Sequence, residues 1–201
     1  FTVRNGGVAS DSGEIDIDAT AGNGGALAAW HNFKSSPGPF RRVEARMINA
    51  DNSIGPLLMP TSGAGSTKVN VAADLSGGGL LAWRDGSSIK AQHVTAASAL
   101  DPVETPVAAS SANAGLTTDH VNGFRVIYRT GSAPSALQYR PLTPNGAGGT
   151  EQTLFPAVTD FVAGFDQATN HAARTMVTWT TTSAASPKPR VSARFIGADG
   201  L

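Results

Sequence analysis

The apolar positions of this chain fall in runs of four to eight residues, broken by Gly, Asn, Asp, Ser and Pro. No window keeps an apolar stripe at helical spacing over three turns. That pattern predicts strands. Between Lys68 and Val94 it reads as a short strand, a turn at Gly77-Gly78-Gly79, a strand ending at Trp83, a tight loop and a third strand.

The same pattern occurs four times. The strand-ending aromatics Trp30, Trp83, Tyr128 and Trp179 stand 53, 45 and 51 residues apart, and the runs Val43–Ile48, Ile89–Val94, Leu137–Leu142 and Val191–Ile196 follow them in matching register. In the first unit the predicted strands are Glu14–Ala19, Ala26–His31, Arg42–Ile48 and Leu57–Pro60. A four-stranded antiparallel sheet of about 50 residues, repeated radially, is the sequence signature of a β-propeller blade. The expectation is therefore an all-β, four-bladed propeller forming one domain, with blades at 14–62, 67–110, 113–158 and 160–201. The fourth unit stops after its third strand, and residues 1–9 supply a spare one. The N-terminal strand, Phe1–Gly7, is thus expected to complete the last blade.

The succession of apolar strand, Gly-Gly, strand ending in Trp, loop and Ile/Val-x-Ala-Arg/Gln-x-apolar resembles the propeller-type repeats of large secreted bacterial proteins. The four-bladed plan is similar to hemopexin-like domains, which bind proteins and often hold an ion in a central channel. The resemblance implies an architecture rather than an activity, because propellers carry lectins, hydrolases, lyases and inert scaffolds on one frame.

Composition narrows the function. Lys and Arg number 15, as do Asp and Glu, and no run of like charge exceeds Arg41-Arg42. The basic stripe that nucleic acid requires is missing, as is any apolar run long enough for a membrane span, so neither partner is expected. The chain has no Cys, which excludes disulfides and thiolate chemistry. It begins at Phe1 without Met, which suggests a processed form or a piece of something longer. Low charge and abundant Thr, Ser and Gly, with the resemblance, favour an extracellular or periplasmic location.

The long segment Asn32–Arg41 differs from its tight counterpart at Asp85-Gly86-Ser87. On a rigid frame such a loop is a candidate binding element. Phe33, Phe40 and Arg41 on it, with Arg84, Asp85 and Arg129 at the matching corners of the next two units, are the candidate ligand residues. The repeated aromatics could stack on sugar rings, but filling the wedge between sheets is the stronger reading. Arg46, Gln92, Arg140 and Arg194 recur at one position and are expected to bridge blades.

Asp16, Asn70, Thr117 and Asp166 are the residues expected at the central channel, where they could hold Ca²⁺ or Na⁺ through oxygen. Catalysis has little support. His31, His93, His120 and His171 fall at different places in their units, and no nucleophile elbow, His-Glu-x-x-His or phosphate loop is present. The expected function is a binding or adhesion module recognising a glycan or a protein partner on one rim. One alternative is a carbohydrate-active enzyme using carboxyls such as Asp85, Asp119 and Asp160. The other is a structural subunit, half of a larger propeller or a homo-oligomer formed by exchange of the terminal strand.

Overall fold

A computed structural model describes residues 10–19, 24–34, 40–60, 66–109, 111–118, 123–130, 135–156, 161–170, 172–183 and 186–198. These form four antiparallel sheets, each a meander of strands consecutive in the chain. The first contains β1 (Ser10–Ala19), β2 (Ala26–Lys34) and β3 (Phe40–Ile48). The second contains β4 (Ser66–Ala73), β5 (Gly79–Asp85), β6 (Ser88–Val94) and β7 (Thr105–Ala108). The third runs through β8 (Ser111–Thr118), β9 (Phe124–Thr130), β10 (Leu137–Leu142) and β11 (Gln152–Phe155). The fourth has β12 (Phe161–Thr169), β13 (Thr175–Ser183) and β14 (Ser186–Ile196). No helix among the described residues is long and apolar enough to cross a membrane.

The all-β class and the four-unit periodicity are therefore present, with two differences of detail. The fourth strand expected at Leu57–Pro60 is reduced to single bridges, Ala45 with Leu58 and Ile48 with Ile54. Pro56 and Pro60 flank it and have no N–H to extend a ladder. Both ends of the expected loop Asn32–Arg41 are strand, because Asn32, Phe33 and Lys34 pair with Arg42, Arg41 and Phe40. The β-favouring Phe33 and Phe40 let that ladder run on, leaving only 35–39 between the strands. The closing strand Phe1–Gly7 lies outside the described residues.

Each first strand carries one extra residue in its ladder to the second strand. The register shifts between Ser12 and Ile15, Thr67 and Val69, Ser111 and Asn113, and Val162 and Gly164. Each bulge sits beside the residues that pair with the strand-ending aromatic, where it sharpens the twist. Lys68, the extra residue of the second sheet, has φ 51.

Three apolar interfaces hold the sheets in series. Leu27, Ala29, Val43, Ala45 and Met47 meet Val69, Val71, Leu81 and Trp83 between the first and second sheets. Leu80, Ile89 and Val107 meet Leu116, Val126 and Tyr128 between the second and third. Ile127, Leu137, Tyr139 and Leu154 meet Val162, Val177 and Trp179 between the third and fourth. Trp83, Tyr128 and Trp179 thus each point at the preceding sheet and are buried there, as the wedge-filling expectation required.

Polar clamps reinforce two of these interfaces. Arg140 Nη1 donates to Val107 O at 2.7 Å, and Arg194 Nη1 donates to Leu154 O at 3.1 Å, so two members of the repeated polar position bridge sheets. Arg46 and Gln92 instead reach Gly55 O and Asp101 O within their own units. Arg125, buried on β9, donates to Ala173 O, Thr175 Oγ1 and Gly197 O at 3.0, 2.7 and 2.9 Å.

Candidate functional site

The first strands β1, β4, β8 and β12 neighbour one another in that order. Their bulges and registers determine which residues share a level. Asp16 pairs with Ala29, Asn70 with Ala82, Gly115 with Ile127 and Asp166 with Thr178, so these four are equivalent. The third-unit counterpart is Gly115, not Thr117. Thr117 lies two residues further on and pairs with Arg125. Its hydroxyl is bonded to Thr169 Oγ1 at 2.8 Å, and Thr169 is bonded in turn to Thr175 at 2.7 Å, so Thr117 belongs to the Arg125 network.

Asn70 and Asp166 do come together. They line a pocket of about 270 Å³ with Lys68, Val69, Ala114, Gly115, Gly164, Phe165 and Gln167. Asn70 Nδ2 donates to Ala114 O at 3.1 Å, and Gln167 Nε2 lies 3.5 Å from Leu116 O. These bonds use the amide nitrogens and orient both side chains across the gap between sheets. Gly115 is required for this: a Cβ there would fall 2.2 Å from Gln167 Oε1. The lining residues include two amides, Asn70 and Gln167, and the exposed Asp166. Among the described residues no cluster of three His, Asp or Glu side chains could hold a metal ion. The Asp16 side chain lies outside the described set.

Three of the expected rim residues, Arg84, Asp85 and Arg129, are held by bonds within the fold. Arg84 Nε donates to Gly86 O at 2.7 Å and closes its own hairpin. Asp85 is paired with Lys90 at 2.7 Å, and that hydrogen bond raises the Lys90 pKa. Arg129 Nη1 donates to Val162 O at 2.7 Å, joining the third and fourth sheets, and burial lowers its pKa. These three therefore do structural work. Phe33 and Arg41 face each other across the β2–β3 ladder, and Phe40 pairs with Lys34. The side chains of Phe33, Phe40 and Arg41 are outside the described set, as are Asp119 and Asp160.

Two polar clusters escaped the sequence reading. Glu44, buried on β3, accepts from Trp30 Nε1 at 2.9 Å, Asn32 Nδ2 at 2.7 Å and Arg42 Nε at 2.6 Å. His93 Nδ1 lies 2.7 Å from Asp101 Oδ2, and its Nε2 is 3.6 Å from Asp74 Oδ2. Asp74 meanwhile accepts from Ser76 and Gly78 in its turn, so this cluster locks a hairpin end. The Tyr128 hydroxyl donates to Glu151; burial first, and then this bond, push its pKa well above the ordinary value. The signal available for Glu44 was a single carboxylate set between Arg42 and Arg46 on one face of a strand whose other face carries Val43, Ala45 and Met47. For the pocket, it was a glycine at the level where the other units carry Asp or Asn. No protein-family model matches the chain, and no curated protein sequence matches it either.

Proposed function

We propose that this chain is a module of propeller-type blades that works by binding, and that the pocket between its first strands takes a small hydroxylated group such as the terminal sugar of a glycan. The supporting observation is the lining itself, with Asn70, Asp166 and Gln167 offering oxygen acceptors around 270 Å³. Hydroxyls donate to such acceptors. The volume falls just below the roughly 300–1,000 Å³ of drug-sized sites, which suits one ring or one polar tip. An extracellular or periplasmic setting for glycan recognition belongs to this same proposal.

Calorimetric titration with a panel of monosaccharides, and separately with calcium chloride, tests it. Saturable sugar binding that Asn70→Ala and Asp166→Asn both abolish supports the reading. Absence of saturation at millimolar sugar overturns it. Binding of calcium alone, lost in Asp166→Asn, would replace it by the ion-holding channel expected from Asp16, Asn70, Thr117 and Asp166.

A further inference from the structure

Every sheet has one face turned to the sheet before it and one turned to the sheet after it, and register makes the same positions interfacial in successive sheets. On the following-sheet face, Val43, Ile89 and Leu137 hold one equivalent position and are 2%, 0% and 0% exposed. Val191 holds that position in the fourth sheet and is 76% exposed. Phe195 and Met176 pair beside it on the same face, 56% and 41% exposed, with the Arg174 guanidinium 5.2 Å from the Phe195 ring centre.

The opposite end of the array shows the complementary defect. On the preceding-sheet face, Val71 and Leu116 are 4% and 6% exposed, whereas Ile17, their first-sheet equivalent, is 56% exposed. Arg140 and Arg194 extend from this face to a backbone oxygen of the preceding sheet's last strand. Arg46, at the same position of the first sheet, keeps a buried Nε that has no hydrogen-bond partner among the described residues. The first and fourth sheets therefore carry the two halves of one interface. Among the described residues no apolar cluster joins those halves within the chain.

We propose that the halves meet between copies: the fourth sheet of one chain packs on the first sheet of a second copy. The contact continues the packing already repeated three times inside the chain. Large exposed apolar faces mark such sites, and a head-to-tail contact closes into a ring when its rotation allows. Two copies making two such contacts would close eight sheets, within the range of four to eight blades that propellers use. That ring rests on the propeller reading; the contact itself, and its test, are independent of sugar binding.

Light scattering behind a sizing column tests the contact. The wild-type chain should run at twice its 20.5 kDa, or as a longer head-to-tail series. Val191→Glu and Ile17→Glu should each give a folded monomer whose thermal midpoint no longer rises with protein concentration, since both side chains are exposed in one copy and only the dimer is stabilised by mass action. Mixing the two variants should restore a dimer, because one sound fourth-sheet face then meets one sound first-sheet face. A monomeric wild-type chain overturns the proposal. So does a dimer that survives Ile17→Glu, which would place the fourth-sheet faces against each other.

Discussion

Arg125 joins the third and fourth sheets, and removing it should cost more than removing any exposed cation. Its two terminal nitrogens reach Ala173 O, Thr175 Oγ1 and Gly197 O, and both Ala173 and Thr175 are buried. A hydrogen bond to a charged group contributes about 1.5–3 kcal/mol, so three of them set a ceiling of roughly 5–9 kcal/mol. The loss should fall short of that ceiling, because the Thr175 hydroxyl keeps Thr169 as a partner at 2.7 Å. Arg125→Ala should then cost about 4 kcal/mol, which for a chain of this size lowers the thermal midpoint by about 8–16 °C. Arg125→Lys should lose about half as much, since one ammonium cannot span the acceptors that the guanidinium fork reaches. Arg129→Ala is the comparison; it gives up one such bond, to Val162 O, and should cost about 1.5–3 kcal/mol. Urea unfolding followed by tryptophan emission measures all three, provided the slope with denaturant stays constant. A loss below about 1 kcal/mol for Arg125→Ala, or equal losses for Arg125 and Arg129, would refute the clamp.

Glu44→Ala removes the acceptor shared by Trp30, Asn32 and Arg42, and urea unfolding should show a loss of about 2–4 kcal/mol. Gly123 has φ 138, and a Cβ there would fall 2.1 Å from Leu142 O; Gly123→Ala should cost about 2–4 kcal/mol by the same assay. Gly115→Ala displaces only the Gln167 side chain, so it should cost under about 1 kcal/mol while weakening any sugar binding in the calorimeter. The Tyr128 phenol is pushed above its ordinary value of about 10, so the unfolded chain gives up that proton first as pH rises. Its share of the stability is intact below about pH 10 and is lost above it; Tyr128→Phe should flatten this alkaline limb, and an unchanged slope would count against the assignment.

The four-unit periodicity was legible in the sequence because strand alternation, glycine turns and the strand-ending aromatics are local signals. Trp83, Tyr128 and Trp179 fill the gaps between sheets for the reason their spacing suggested: a large ring at a fixed register meets the same neighbour each time. Register itself was less legible. Only the ladder to the second strand shows that Gly115, and not Thr117, stands at the level of Asn70. Arg84, Asp85 and Arg129 looked available to a ligand, because a sequence does not show which carbonyl or ammonium stands 2.7 Å away. Arg125 sat in an apolar run as an isolated charge, and only the packed sheets brought it acceptors from residues 48 to 72 positions distant. Repetition along the chain determined what each sheet is made of. Tertiary structure decided which faces are covered, since burial depends on a neighbour that the residues of one sheet do not encode.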